Sequence, residues 1–251
     1  MDLDLVDRVA IVTGASRGLG RAAAEALAAE GVRVLAVARS TTDLEKLRAA
    51  DPDRIAIAIA TVDMRSADEV AALADLAVER FGRLDIVVYN AGIAPAGRFS
   101  DQPQEQWDEV FDVNVRAPVV LARAAGKHLL AQRSGKIINV ASTSGINGKP
   151  ILVSYSASKG AVLQFTKALA AEWGRFGVQV TAIAPGAFET DAQAAVLDDP
   201  ETLTRRLRKI PAGRMGRTEE FGPLVCYLAS PLSDFMTGSV VVFDGGEVSK
   251  L

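Results

Sequence analysis

The stretch Val9-Ala10-Ile11-Val12-Thr13-Gly14-Ala15-Ser16-Arg17-Gly18-Leu19-Gly20 decides the fold. A short β-branched run leads into three glycines and then into an alanine-rich stretch, which is the order of a strand, a tight turn and a helix. Gly14 permits the turn, Gly18 lets backbone approach a ligand, and Gly20 allows the helix to pack close to the strand. The stretch therefore predicts the first βα unit of a doubly wound sheet.

This turn also predicts a phosphate-binding site. The first N–H groups of the following helix are unpaired, and the helix dipole favours an anion there. A tight βα connection without a ligand is the alternative interpretation. Ligands of doubly wound sheets bind at the carboxyl ends of the strands, and this position favours a dinucleotide.

Strand-like and helical runs alternate along the remaining chain. The runs that we interpret as strands begin at Arg8, Val32, Arg54, Leu84, Gly135, Val178 and Ser239. Helices are predicted between them at about 18–30, 41–50, 66–81, 103–131, 152–175 and 218–229. The pattern predicts an α/β fold, a doubly wound parallel sheet with helices on both faces. No repeat or low-complexity linker interrupts it, so residues 1–251 are expected to form a single domain.

One long segment, residues 186–216, departs from this alternation. It follows a strand, contains a helical piece from Asp191 to Lys209, and is interrupted by proline and glycine. Long insertions at the carboxyl ends of such strands usually cover a ligand site. We therefore expect a substrate lid at about 186–216.

The composition restricts the partners and the location. A net charge of −3 and a pI near 5.4 offer no basic excess for nucleic acid or an anionic membrane. The first seven residues lack the order of a secretory signal, and no apolar run approaches the roughly 18 residues that span a bilayer. A cytoplasmic protein is expected. His128 is the single histidine and no cysteine cluster accompanies it, so no metal site is expected.

Ser142, Tyr155 and Lys159 are candidate catalytic residues. Tyr155 and Lys159 are four residues apart on a predicted helix and project from one face, and Ser142 ends a predicted strand. A tyrosine hydroxyl titrates near 10, and an adjacent ammonium would lower that pKa towards the range useful for proton transfer. An ordinary amphipathic helix has the same spacing, so spacing alone leaves both interpretations open.

The end of the second predicted strand bears on cofactor choice. A dinucleotide site that selects the unphosphorylated cofactor places Asp or Glu there, whereas this chain has Ala38 followed by Arg39. Arg39 and Arg17 could flank a 2′-phosphate with charge-assisted hydrogen bonds. We expect a preference for NADP(H), with NAD(H) as the alternative. Two solvent-facing arginines are the simpler interpretation of the same residues.

The chain as a whole resembles the short-chain dehydrogenase/reductase family. The matching motifs are Thr13-Gly14-x-x-x-Gly18-x-Gly20, Asp63, Asn90-Ala91-Gly92, Asn114, Ser142, Tyr155-x-x-x-Lys159 and Pro185-Gly186, in the family's order. One departure is Tyr89, where the family often has asparagine; it leaves the packing of that turn open.

The resemblance implies a single-domain Rossmann fold with a seven-stranded parallel sheet, a nicotinamide cofactor and a homotetramer. It implies the catalytic residues Asn114, Ser142, Tyr155 and Lys159. Tyr155 would transfer the proton, Ser142 would hold the substrate oxygen, and Asn114 would hold a water that links Lys159 to solvent. Asp63 would hold the adenine. The cofactor-binding residues expected from the motifs and the two arginines are Gly14, Ser16, Arg17, Gly18, Leu19, Gly20, Arg39, Asp63, Asn90, Ala91, Gly92, Tyr155, Lys159, Pro185 and Gly186.

Within the family, the sequence looks most like the 3-oxoacyl-carrier-protein reductases and their relatives. We therefore expect an oxidoreductase that interconverts a ketone and a secondary alcohol, with an acyl-carrier protein as a candidate partner. The alternatives are a polyol, sugar-acid or hydroxysteroid dehydrogenase and a non-catalytic nucleotide sensor. Carrier-dependent relatives present arginines beside the site entrance; here Arg133 occupies one such place but Phe176 another. The run Arg205 to Lys209 is interpreted as a solvated helix face, with contact to an anionic substrate as the alternative.

Overall fold

A computed structural model describes residues 2–50 and 57–250. In this part of the chain, seven parallel strands form one sheet in the order β3-β2-β1-β4-β5-β6-β7. The strands are β1 (Val9–Thr13), β2 (Arg33–Ala38), β3 (Ile57–Thr61), β4 (Ile86–Tyr89), β5 (Gly135–Val140), β6 (Val178–Pro185) and β7 (Val240–Phe243). The predicted α/β class and doubly wound sheet are confirmed.

Helices cover both faces of the sheet. They are α1 (Gly18–Ala29), α2 (Thr41–Ala49), α3 (Ala67–Phe81), α4 (Gln104–Phe111), α5 (Ala117–Gln132), α6 (Val153–Trp173), α7 (Ala194–Leu197), α8 (Pro200–Leu207) and α9 (Phe221–Ala229). A π-helical turn, Asp112–Arg116, connects α4 to α5. No helix within the described residues is both long and apolar enough to cross a membrane.

The strand β1 shows how the sequence builds two apolar layers. Its side chains are buried on both faces, and successive side chains point to opposite sides of the sheet. Val9 and Ile11 join the cluster formed by α3, α5 and α6, whereas Ala10 and Val12 join the cluster formed by α1 and α9. A continuous apolar run rather than an alternating one is therefore what this central strand requires.

Several predicted boundaries differ from the observed ones. β4 begins at Ile86 rather than at Leu84, and the start predicted at Arg54 lies outside the described residues. The predicted helix 103–131 is interrupted by the π-helical turn. The helical piece predicted from Asp191 to Lys209 is divided, because Asp199 caps a new helix whose first residue is Pro200.

Candidate active site

The glycine-rich turn lies at the carboxyl end of β1, where the sheet order reverses. Gly14 and Gly18 have φ angles of +65° and +54°, which side chains other than glycine rarely adopt. A Cβ atom at Gly20 would lie 2.2 Å from the Gly14 carbonyl oxygen, so only glycine lets α1 approach the turn this closely. The three glycines therefore have the positions that the sequence predicted for them.

Asn90 fastens this turn to the neighbouring strand. Its Nδ2 donates to the carbonyl oxygens of Thr13 and Gly14 at 3.2 and 3.3 Å. The Thr13 hydroxyl in turn accepts the backbone N–H groups of Asn90 and Ala91, both at 3.1 Å. These bonds hold the ends of β1 and β4 in a fixed relation.

A cavity of about 480 Å³ extends along the carboxyl ends of the strands from this turn. Of the residues predicted to bind a cofactor, those that line it are Gly14, Ser16, Arg17, Gly18, Leu19, Arg39, Asp63, Asn90, Ala91, Gly92 and Gly186. Four others, Gly20, Tyr155, Lys159 and Pro185, do not line it. Phe188 and 190–193 of the 186–216 segment form part of its wall.

The lining suits a dinucleotide. Arg17 is the N-cap residue of α1 and makes no capping hydrogen bond with its side chain, so the first N–H groups of α1 remain available to a phosphate. Nothing lies closer than 3.4 Å to the place where a side chain on Gly18 would start. The turn thus offers a concave backbone surface with positive partial charge beside an open volume.

Arg17 and Arg39 are exposed at one end of the cavity, next to Ala38. Asp43 also lines this end, and its carboxylate is already bonded to Lys46 at 2.9 Å and to the Ser40 hydroxyl at 2.8 Å. These partners and the charge of Arg17 lower the pKa of Asp43. Arg17 therefore lies near the Asp43 carboxylate and Arg39 near that of Asp63, and each carboxylate already has a hydrogen-bond partner within the chain.

Asp63 lies where the sequence placed it, but its carboxylate has a partner within the chain. Arg65 Nε lies 3.1 and 3.0 Å from the two carboxylate oxygens, and its Nη2 lies 2.6 Å from one of them. Hydrogen bonding to Arg65 lowers the pKa of Asp63. An adenine contact through this carboxylate would have to share it with Arg65.

Ser142 and Tyr155 meet beyond the end of β5. Burial raises the pKa of the Tyr155 hydroxyl, and its interaction with the Ser142 side chain opposes that effect. The sequence predicts a lowered pKa for Tyr155 because of Lys159, so the direction of the shift is opposite to the predicted one. Loss of hydration around the hydroxyl disfavours the tyrosinate here.

Lys159 is buried one helical turn from Tyr155. Its Nζ donates to the Val140 carbonyl oxygen at 2.8 Å and lies 5.7 Å from the centre of the Tyr155 ring. Burial lowers the pKa of Lys159 to about 8. The spacing predicted from the sequence therefore does bring both side chains to one face of α6.

Asn114 is buried in the π-helical turn and is held on three sides. Its Oδ1 accepts the Ile93 N–H at 2.9 Å, and its Nδ2 donates to the Ile93 carbonyl at 2.9 Å and to the Ser158 hydroxyl at 3.0 Å. A Cβ atom at Gly92 would lie 3.2 Å from Asn114 Oδ1 and 3.4 Å from Lys159 Nζ. Asn114 and Lys159 thus approach one common volume beside Gly92.

Tyr89 contacts the π-helical turn that carries Asn114, a role that the sequence did not predict. Its hydroxyl donates to the Val113 carbonyl oxygen at 2.6 Å, directly before Asn114. Pro118 is the sequence signal that could have located the π-helical turn. Proline has no backbone N–H, so the carbonyl of Asn114, four residues earlier, loses its usual helical donor.

Two other conspicuous groups lie elsewhere. His128 Nε2 is 2.8 Å from Asp75 Oδ1 at the surface. Among the described residues, no three His, Cys, Asp or Glu side chains converge closely enough to hold a metal ion. Arg133 lies over the Phe176 ring at 5.9 Å, so the two residues compared with the carrier-dependent relatives contact each other.

Comparison with known proteins assigns the family. A profile described as Enoyl-(Acyl carrier protein) reductase matches residues 14–247. The chain is also 36% identical over 248 residues to the 2-dehydro-3-deoxy-D-gluconate 5-dehydrogenase of Bacillus subtilis (strain 168), covering 98% of this chain and 96% of the relative. The chain belongs to the short-chain dehydrogenase/reductase family. This short-chain dehydrogenase/reductase is an oxidoreductase that acts on CH–OH or C=O groups with NAD(P).

Two further similarities bear on its subgroup. The 3-oxoacyl-[acyl-carrier-protein] reductase of Vibrio cholerae serotype O1 is 34% identical to this short-chain dehydrogenase/reductase, covering 97% of the chain and 98% of the relative. A gluconate 5-dehydrogenase structure from Burkholderia cenocepacia J2315, in complex with NADP and tartrate, superposes with a TM-score of 0.94 at 33% identity, covering 100% and 98%. The relatives favour the sugar-acid dehydrogenase alternative over the 3-oxoacyl interpretation.

Proposed function

We propose that the protein is an NADP(H)-dependent dehydrogenase of a sugar acid, which interconverts a secondary alcohol and a ketone on that acid. The observation that carries this proposal is full-length similarity to sugar-acid dehydrogenases combined with the grouping of Ser142, Tyr155 and Lys159 beyond the end of β5. A nucleotide sensor would need no such group.

Tyr155 is the proposed proton carrier. In the oxidative direction its oxygen accepts the hydroxyl proton of the alcohol, and in the reductive direction it returns a proton to the ketone oxygen. The Ser142 hydroxyl, which already accepts the Ser144 N–H at 3.1 Å, donates to the same substrate oxygen and fixes its position. The nicotinamide cofactor, when bound, supplies the hydride acceptor or donor.

Lys159 and Asn114 are proposed to pass the proton onward. The Lys159 ammonium has one described hydrogen bond, to Val140, which leaves donors for a cofactor ribose and for water. The volume beside Gly92 that Lys159 and Asn114 both approach could hold such a water. Because Asn114 is bonded to both the N–H and the carbonyl of Ile93, its amide is held in one orientation towards this volume.

The charges at the ribose end of the cavity support a preference for NADP(H). Ala38 leaves no carboxylate at the position that would repel a 2′-phosphate, and Arg17 and Arg39 both line this end. The Burkholderia relative was solved with NADP. NAD(H) remains the alternative cofactor of this site. The 186–216 segment, which walls the cavity at 190–193, is the proposed lid.

We also propose a homotetramer. The strand β7 forms one edge of the sheet, and apolar side chains beside it are exposed on the single chain. An edge strand with exposed apolar neighbours favours pairing between copies.

The substrate proposal is tested by initial rates measured from the absorbance of the reduced nicotinamide. We expect a higher kcat/KM with gluconate or a deoxy-ketogluconate and NADP(H) than with a 3-oxoacyl thioester. Sorbitol, in which a CH₂OH group replaces the carboxylate of gluconate, is the matched neutral substrate and should react more slowly. Faster turnover of the thioester would instead identify a 3-oxoacyl reductase and overturn the proposal.

A further inference from the structure

A second cavity, of about 380 Å³, lies beside the segment that follows Ser142. It shares no lining residue with the dinucleotide cavity. Its walls come from three separate parts of the chain: the segment after β5, the end of the 186–216 segment and the carboxyl-terminal segment. The lining residues are Thr143, Asn147, Gly148, Lys149, Arg208, Lys209, Glu247, Val248 and Lys250.

The cavity wall is strongly cationic. Lys149, Arg208, Lys209 and Lys250 contribute four positive charges, against the single carboxylate of Glu247. Within the described residues, no carboxylate lies within 4.0 Å of the charged groups of Arg208, Lys209 or Lys250. Among the described residues no carboxylate relieves their mutual repulsion, so this part of the chain favours an anionic occupant of the cavity.

The Glu247 carboxylate does not cancel this charge, because it is already paired. Arg206 contacts both of its oxygens, at 2.6 and 2.8 Å, and Lys149 Nζ lies 3.4 Å from one of them. Glu247 and Arg206 are 12% and 19% exposed, so this bidentate pair is largely shielded from water. The pair ties α8 to the carboxyl-terminal segment.

The pKa of Lys149 is shifted by its burial and by the charges around it. Burial lowers its pKa, Glu247 opposes that effect, and the charges of Arg206 and Lys209 lower it further. An anion in the cavity would stabilise the charged form of this ammonium.

A buried hydroxyl also lacks a partner at this cavity. Thr143 is 1% exposed and lines the wall, and among the described residues its Oγ1 has no hydrogen-bond partner. A buried hydroxyl without a partner is unfavourable.

The loop from Thr143 to Lys149 connects the cavity to the candidate catalytic residues Ser142 and Tyr155 at both of its ends. Thr143 directly follows Ser142, and the Lys149 N–H donates to the hydroxyl of Ser156, the residue after Tyr155, at 3.2 Å. An anion held between these two points would therefore lie close to the proposed site of proton transfer.

We propose that this cavity binds the carboxylate of a small organic acid. The inference rests on the proposed function for the source of that carboxylate, namely the enzyme's own sugar-acid substrate. A separate acid acting as an effector is the other source. From the sequence, the run Arg205 to Lys209 is interpreted as a solvated helix face. In the structure only Arg205 is exposed outside the cavity. Arg206 pairs with Glu247, and Arg208 and Lys209 line the cavity.

Calorimetric titration at low salt tests the site without turnover. Gluconate and sorbitol are added to the enzyme in the presence of NADPH, with which an alcohol cannot react. We expect gluconate to bind at least tenfold more tightly than sorbitol, because charge-assisted hydrogen bonds form with gluconate alone. Added salt should weaken the binding of gluconate. Equal affinity for the two ligands, or no heat of gluconate binding, would overturn the proposal.

The variant Lys209→Ala/Lys250→Ala removes two lining charges, and Arg205→Ala removes one exposed charge of α8 outside the cavity. We expect a ten- to hundredfold loss of gluconate affinity in the double variant and none in Arg205→Ala. Lys250 also donates to the Arg208 carbonyl, so Lys209→Ala alone serves if the double variant unfolds. An unchanged gluconate affinity in Lys209→Ala would contradict the site.

Steady-state rates separate the two sources of the carboxylate. If the substrate carboxylate occupies the cavity, the double variant raises KM for the acid at least tenfold and leaves the sorbitol rate unchanged. If an effector occupies it, gluconate binding is lost while KM for the substrate stays constant. Charge-dependent gluconate binding without oxidation of any sugar acid would leave the site standing and reject the proposed function.

Discussion

Removal of the Tyr155 hydroxyl is the first prediction at the scale of single residues. Tyr155→Phe should lower kcat by about 100- to 10,000-fold, because the atom that carries the proton is lost. The fold and the cofactor affinity should persist, because the ring remains and only its hydroxyl is lost. Stopped-flow turnover and titration of nicotinamide fluorescence measure the two quantities. Retention of more than a tenth of the wild-type kcat would exclude this role for Tyr155.

The pH dependence follows from Tyr155 and Lys159 together. Burial raises the pKa of Tyr155 above its ordinary value and lowers that of Lys159 to about 8. The first proton that the pair loses as pH rises therefore leaves near pH 8, and the form that has lost it can accept the alcohol proton. The oxidative kcat/KM should rise to a plateau above about pH 8, and the reductive kcat/KM should fall through the same range.

A Lys159→Ala variant checks this assignment. Without the ammonium, the ionisation that remains belongs to Tyr155, whose pKa lies above its ordinary value. The oxidative profile should therefore move upward in pH by more than one unit, with weaker cofactor binding. A profile that stays centred near pH 8 would show that another group titrates.

The cofactor preference depends on Ala38 and Arg39. Ala38→Asp/Arg39→Ala introduces a carboxylate and removes one guanidinium, so the ratio of kcat/KM values should shift towards NAD(H) by about ten- to hundredfold. Arg48→Ala, which removes an exposed arginine of α2 outside the cavity, is the control and should leave the ratio unchanged. A wild-type enzyme that already prefers NAD(H) would contradict the prediction.

At the scale of elements, Tyr89 and the π-helical turn belong together. Tyr89→Phe removes the donor from the buried Val113 carbonyl and should destabilise the fold by about 1–3 kcal/mol. The turn carries Asn114, so kcat should fall as well. Urea unfolding measures the stability. Tyr227→Phe is the matched control, since in the described structure that hydroxyl has no hydrogen bond, and it should change stability by less than about 0.5 kcal/mol.

The sequence predicted which segments form strands and helices better than it predicted where a helix is interrupted. The strand β1 is buried throughout, and its apolar run from Val9 to Val12 is visible without any knowledge of its neighbours. The break at Asp112–Arg116 depends on contacts of Asn114 and Val113 with residues about twenty positions away, which periodicity along one helix cannot report.

In the candidate site, too, the sequence predicted the local geometry but not the effects of distant segments. Motif spacing predicted that Tyr155 and Lys159 share a face, because helix geometry is local. It did not predict the rise in the Tyr155 pKa, which depends on how closely other segments enclose the hydroxyl. The ion pair between Glu247 and Arg206 was not predicted from the sequence either, since the two residues lie 41 positions apart.

At the scale of the whole molecule, the edge beside β7 predicts assembly. Phe235 is fully exposed on the single chain, and Leu232 and Val242 are 51% and 43% exposed. We expect light scattering at micromolar concentration to give the mass of four 26.4 kDa chains. Phe235→Glu should shift that mass to a smaller species, and Val6→Glu, at an exposed apolar position near the amino terminus, should not. A wild-type monomer would refute the assembly.

The position of β1 between β2 and β4 has a consequence during synthesis. β2 pairs with one edge of β1 soon after it leaves the ribosome, but the other edge is covered only when β4 has been made. At about 5–20 residues per second, the 72 residues between Thr13 and Ile86 take about 4–15 s. For that interval the nascent chain presents a buried-type apolar strand with one row of unpaired backbone groups. Chaperones that shield such edges would therefore act on this chain before its midpoint is translated.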